Sequence, residues 1–291
     1  MESEQGPSQI STVTRRKLLG GAVLAVGAAA LTSCASSTPT AASTGSQTKT
    51  SLLEVVQHRG QLNVITQLLY PPEMYLTKQG KPAGYDVQLM NTMAKDLNVK
   101  LNIVNETSFS TIIPALLSGK GDIAMVGLVD TPQRALSIAF TTGYVPYQLA
   151  VMVPATSHIT TADQLNRPGI TITALLGSTD YFEAQILFPK ATLTGLEEEP
   201  AMLAVATGRA DAVVVEEYLA APFAKLHPNV KILNPSAPVA VQWGCIGLPQ
   251  GDQLWLNWLN NWIYYYTKAN ILKGYYNSII GPTGTTWPTI G

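Results

Sequence analysis

Few of the 291 residues are of the kinds that commonly carry catalysis. The chain holds two cysteines, Cys34 and Cys245, and three histidines, His58, His158 and His227. The histidines are far apart and match no metal-ligand spacing, so each reads as a surface or loop residue. Two cysteines so placed build neither a C-x-x-C site nor a disulfide framework. No Ser/His/Asp or Cys/His set and no phosphate-cradling loop is present, and neither metal nor cofactor is expected. Cys34 closes an apolar N-terminal run. Cys245 is left without a partner and reads as a small buried apolar side chain.

The formal net charge is -1, with 46% hydrophobic and 13% charged residues and no long run of one sign. A nucleic-acid footprint would appear as a clustered basic face, and none is present. The N-terminus carries an address. Thr14-Arg15-Arg16-Lys17 leads into an apolar run ending at Leu31, followed by Leu31-Thr32-Ser33-Cys34. A basic start, a short apolar stretch and small residues form an export signal. The paired arginines resemble a twin-arginine signal, and the four residues ending at Cys34 resemble a lipobox, which would make Cys34 the lipidated N-terminus of the mature protein. Residues 1–34 are thus read as a lipoprotein signal peptide. The polar, small-residue segment 35–50 cannot bury enough apolar surface to order itself and reads as a tether.

From residue 51 the pattern alternates between strand and helix. Strands are predicted at 62–66, 100–104 and 122–126, and helices at 86–97 and 110–117, with another starting at Thr131. The alternation resumes with a strand at 170–172, helices at 179–187 and 200–206, a buried strand at 212–215 and a helix at 217–226. Such alternation argues for βαβ units and largely parallel sheets. The two halves also echo each other: Leu117-Ser118-Gly119-Lys120-Gly121-Asp122-Ile123-Ala124 parallels Ala206-Thr207-Gly208-Arg209-Ala210-Asp211-Ala212-Val213. Each is a helix end, a glycine stop, a basic residue, an Asp and a buried strand. The expected fold is α/β, with two doubly wound sheets joined by two crossing strands. Lobe 1 would comprise 51–147 plus 248–291, lobe 2 would comprise 154–238, and hinge strands would run at 148–153 and 239–247. A ligand would lie between the lobes, beyond the carboxyl ends of the parallel strands. Trp255, Trp258 and Trp262 have near-helical spacing and read as a packed face.

From about residue 52 to 281 the chain resembles the extracellular solute-binding proteins of polar amino-acid ABC importers, which have a two-lobed periplasmic-binding-protein fold. The matching stretches include Tyr70-Pro71-Pro72, Gly80-Lys81-Pro82-Ala83-Gly84-Tyr85-Asp86, Gly127 with Asp130-Thr131-Pro132-Gln133-Arg134, Leu176-Gly177-Ser178-Thr179, and Trp243-Gly244-Cys245-Ile246-Gly247. The resemblance implies that Arg134 grips a ligand carboxylate, for which a planar guanidinium fork is suited. It implies that Gly177, Ser178 and Thr179 offer backbone N–H groups and hydroxyls at a helix start, that Glu216 holds an ammonium group where aspartate is usual, and that Tyr70 covers the ligand. Gln67 replaces a frequent Asp three residues before the aromatic, and Val129 replaces a frequent Ser or Thr. Asp130 is expected to cap the helix that follows it.

The implied function is capture of a small polar solute, an amino acid by the resemblance, and its delivery to membrane permease subunits. The protein would be a monomer anchored by lipid at the outer face of the cytoplasmic membrane, and not an enzyme. Two alternatives stay open: a cyclohexadienyl (prephenate or arogenate) dehydratase on the same fold, and a ligand-sensing receptor module.

Overall fold

The computed structural model describes residues 50–233 and 237–288. The expected signal peptide, Cys34 and the tether as far as residue 49 lie outside the described residues. Among the described residues no helix is long and apolar enough to cross a membrane.

The first half opens with α1 (Leu52–Arg59) and β1 (Gln61–Thr66), then a small antiparallel sheet of β2 (Leu69–Tyr70), β3 (Met74–Leu76) and β4 (Pro82–Ala83). It continues through α2 (Tyr85–Asp96), β5 (Lys100–Asn105), α3 (Ile112–Leu117), β6 (Ile123–Val129), α4 (Pro132–Ala135) and β7 (Ala139–Phe140). The chain then runs through β8 (Val145–Pro154) into β9 (Thr171–Leu175), α5 (Thr179–Leu187), β10 (Thr192–Leu196), α6 (Glu198–Ala206), β11 (Ala212–Glu216), α7 (Glu217–Leu226) and β12 (Val230–Leu233). It returns along β13 (Ala240–Leu248) to α8 (Gln253–Lys268) and α9 (Ile271–Ile279).

Strands β5-β1-β6 pair in parallel, and so do β10-β9-β11. Between them β8 and β13 pair antiparallel with each other and with β11 and β6. The two doubly wound halves are therefore joined by the two crossing strands into one hydrogen-bonded sheet of ten strands. The apolar runs that suggested buried strands are buried on both faces, as a covered parallel sheet requires. Along β8 and β11, Ala150, Met152, Val213 and Val215 join the main core. Their alternating neighbours Leu149, Val151, Val153, Ala212 and Val214 face a second cluster with Ile172, Leu165 and Phe188. This is the two-residue period of a strand.

The internal repeat has a structural basis. Gly119 and Gly208 both take a positive φ, +76° and +72°, which ends the preceding helix without a Cβ clash. Asp122 then accepts the Asn63 N–H at 2.7 Å, and Asp211 accepts the Thr171 N–H at 2.8 Å. Each Asp thus pins the strand next to its own, β1 in one half and β9 in the other.

The tryptophan face packs as its spacing suggests. Trp255 and Trp262 are buried, and Trp258 stacks on Trp255 with centroids 5.4 Å apart. Cys245 is buried and free, and burial pushes its thiol up to about 12. Asp130 does not cap α4. Thr131 does, its side chain accepting from the Arg134 N–H at 3.2 Å, while Asp130 faces Cys245. Threonine next to Pro132 is placed to reach back to the third helical residue, the usual N-cap geometry.

Candidate functional site

Every parallel strand ends at the same cavity. Tyr70 follows β1, Phe109 follows β5, Gly127 lies near the end of β6, Ser178 and Thr179 follow β9, Glu198 follows β10 and Glu216 ends β11. These side chains, with Glu73, Tyr147 and Tyr218, line a pocket with about 350 Å³ of empty space. That is where an α/β fold of this kind places a ligand.

Arg134 is buried beside this pocket. Its Nη1 donates to the Val129 carbonyl at 2.7 Å, and its Nη2 donates to the Gly177 carbonyl at 2.9 Å. The second bond joins the first half to the second. The guanidinium lies over the Phe109 ring, 5.7 Å from its centroid. Burial lowers its pKa to about 10, with Asp180 acting in the opposite direction; it stays charged at neutral pH.

The other expected residues divide by role. Tyr70 lines the pocket and is buried, and its hydroxyl donates to Gln67 Oε1 at 2.5 Å. Gln67 in turn donates to the Thr107 carbonyl at 3.2 Å, so it orients the Tyr70 ring and does not line the pocket. Gly127 lines the pocket at φ +65°, where an added Cβ would come within 2.6 Å of Tyr147 Oη. Gly177 presents its carbonyl to Arg134. Ser178 is an ordinary N-cap of α5: its Oγ accepts from the Tyr181 N–H at 3.2 Å and donates to the Leu175 carbonyl at 2.8 Å. Thr179 donates its hydroxyl to Gln242 Oε1 on β13 at 2.7 Å. The helix-start hydroxyls expected to be open to a ligand are therefore already engaged, because each finds a closer protein acceptor.

Acidic groups dominate the rest of the pocket. Glu73 is fully buried and accepts from Tyr147 and Tyr218, the latter at 2.5 Å. Burial and the neighbouring Asp86 push its pKa well up, against the two tyrosine hydrogen bonds. Asp180, Glu198 and Glu216 bring carboxylate oxygens within 4.8 Å of one another. Burial, foremost, raises all three, and like charges raise Asp180 and Glu198 further. Glu216 keeps part of its residue surface exposed, but its Oε2 is buried.

Glu73, Glu198, Asp180 and Phe109 were not singled out from the sequence. Phe109 was findable as the first aromatic after a recognised strand. Glu198 was hidden because β10, Thr-Leu-Thr-Gly-Leu, is a short edge strand with little apolar pattern. Asp180 reads as a first-turn acid favoured by the helix dipole, and nothing in sequence shows that it points inward.

The family model for bacterial extracellular solute-binding proteins, family 3, matches residues 62–281. The chain is 27% identical to a probable histidine-binding protein of Neisseria gonorrhoeae, covering 82% of this chain and 87% of that one. It is 25% identical to cyclohexadienyl dehydratase of Pseudomonas aeruginosa, covering 80% and 87%. Among solved structures, an ancestral amino acid-binding protein described as a precursor of cyclohexadienyl dehydratase superposes with a TM-score of 0.72 at 32% identity, covering 79% of this chain and all of that one. A binding component of an ABC transporter from Wolinella succinogenes, complexed with lysine, gives a TM-score of 0.70 at 26% identity, covering 76% and 96%. Fold and pocket thus define a two-lobed binding protein of the periplasmic type. The chain belongs to the bacterial extracellular solute-binding proteins, family 3, a family whose members act outside the cytoplasm.

Proposed function

We propose that this protein is the solute-binding subunit of an ABC importer, taking an amino acid into the cleft between its lobes and handing it to membrane permease subunits. The observation that carries this reading is one pocket lined from the strand ends of both halves, with Arg134 reaching from one half to the other. A guanidinium has five N–H donors, and two carbonyls engage two of them, so donors remain for a ligand carboxylate. Glu216 on the opposite side takes the ammonium. A solute that touches both halves favours the closed form by the energy of those bridging contacts. In this reading 51–147 with 248–291 moves against 154–238 about 148–153 and 239–247, and the permease recognises the closed shape. Lipid on Cys34, reached through a twin-arginine signal, holds a monomer at the outer face of the membrane. A thermal-shift screen of amino acids on the chain from residue 51 tests this, since a bound solute raises the melting temperature by mass action. No shift with any amino acid at millimolar concentration would remove the reading.

One observation favours a second reading. A cleft carboxyl whose pKa is raised suits a general acid, and Glu198, which lines the pocket, is raised by burial and then by its like-charged neighbours Glu216 and Glu197. Cyclohexadienyl dehydratase activity is tested by incubating the protein with prephenate or arogenate and following aromatic product. The transport reading expects no turnover.

A further inference from the structure

Glu73 lines the pocket, yet solute capture as described gives it no role. It stands just before β3, and its backbone is fixed on both sides. Its N–H donates to the Tyr70 carbonyl at 2.8 Å, and its carbonyl accepts from the Asp86 N–H at 2.9 Å. Gly84 packs so closely on that carbonyl that an added Cβ would overlap it. The side chain is therefore aimed before any solute arrives. It is 1% exposed and accepts from two phenols, Tyr147 and Tyr218. Tyr147 lies near the start of β8 and cannot move far: an added Cβ at Gly127 or Gly244 would come within 2.6 Å of its hydroxyl or its ring. Tyr218 lies on α7, in the second half, and its hydroxyl donates to Glu73 Oε2 at 2.5 Å. One buried carboxyl thus joins the halves with no solute between them. Ser108 also reaches across, donating to Glu197 Oε1 at 2.7 Å, but that pair is exposed and water replaces it readily. The Glu73 bond has no such substitute while the halves stay together. Without it, a carboxyl oxygen would be buried and unpaired, and the cheapest relief would be to open and let water in.

Resting on the reading of two lobes that close about the crossing strands, we infer that Glu73 and Tyr218 form a latch that holds the halves together in the empty protein, with Tyr147 as its fixed support. The unloaded chain then rests mostly closed, and a solute selects that form in place of inducing it. Affinity gains from this, because the apparent dissociation constant is the intrinsic one divided by the closed fraction. Glu73 and Tyr218 act here as positioning residues: they set the relation of the halves, and the solute finds Arg134 and Glu216 already facing each other.

Pulsed electron resonance between spin labels at Lys78→Cys and Lys190→Cys, an exposed site on each half, tests this in the full chain carrying Cys34→Ala. Without solute, one distance matching the closed structure should dominate. In Tyr218→Phe a second distance should grow about tenfold relative to it, the loss expected for a hydrogen bond to a carboxylate. Saturating histidine or glutamine, whichever binds, should restore the first distance, and affinity should fall by the same factor as the closed fraction. If Tyr218→Phe fails to fold, Glu73→Gln serves: it keeps the shape, loses one acceptor oxygen, and should shift the distances in the same direction. A wild type that rests in the second distance without solute would overturn the latch. So would a variant whose distances are unchanged while its affinity drops, since Tyr218 would then be a solute contact only; the transport reading would stand. Binding of neither amino acid, with the distances of the empty variant still shifted, would uphold the latch and count against the amino-acid reading.

Discussion

Arg134 was legible from sequence because its position after Thr131-Pro132 carries the family resemblance, but its surroundings were not. It is buried, it bridges to Gly177, and it rests on Phe109. Truncating a buried charged contact of this kind costs roughly 2–5 kcal/mol. Arg134→Ala should therefore reduce solute affinity beyond calorimetric detection while circular dichroism stays native; near-native affinity would show that the ligand lies elsewhere. Gly127 was expected at the site, and the reason is steric. At φ +65°, a Cβ there would strike Tyr147, the residue that donates to Glu73. Overpacking typically costs about 1–3 kcal/mol, and a left-handed non-glycine residue adds roughly 1 more. Gly127→Ala should lower the melting temperature by roughly 5 °C or more. An unchanged melting temperature would mean that Tyr147 has room to move.

Most of the helices follow from periodicity and glycine stops, and the crossing strands from extended apolar segments: α5 at Thr179–Leu187 and α7 at Glu217–Leu226 match the predicted bounds. The short strands β2, β3, β4 and β7 were missed, and so were β10 and β12, which lack that signal. β10 is an edge strand, and β12 is a four-residue segment whose partner β8 is distant in sequence. The Asp repeat was visible as a pattern, while its purpose, accepting an N–H of the neighbouring strand, needed coordinates. Leaving a backbone donor unpaired costs roughly 1–3 kcal/mol. Asp122→Ala should destabilise more than Asp211→Ala in urea unfolding, because Asp122 also pairs with Arg59; the reverse order would contradict the assignment. Asp86 on α2 gives a pH signature. Burial raises it from 3.8 to about 7, and its Oδ2 accepts from Tyr144 at 2.8 Å. In the fold it keeps a proton that the unfolded chain has lost, so its contribution is complete below the ordinary 3.8 and is lost as pH rises through about 7. Melting temperature should fall between pH 5 and pH 8, and Asp86→Asn should flatten that fall. A wild-type melting temperature that rises over this range would contradict the sign.

At the scale of the molecule, two α/β halves meet along crossing strands, and each contributes strand-end residues to a shared pocket. The sequence carried this architecture because the order of motifs extends from about residue 52 to 281 and the repeat marks both halves. It did not carry the acid triad, whose members lie on α5, α6 and β11 and converge only when those elements pack. Resemblance pointed to Arg134, while packing brought three carboxylates within 4.8 Å of one another. The most direct measurement is a crystal structure of the chain from residue 51 grown with the amino acid that gives the largest thermal shift. The account predicts an amino acid enclosed between the halves, with its carboxylate on the Arg134 guanidinium and its ammonium at Glu216. That amino acid bound outside this pocket, or a pocket that stays empty at saturating concentration, would contradict it.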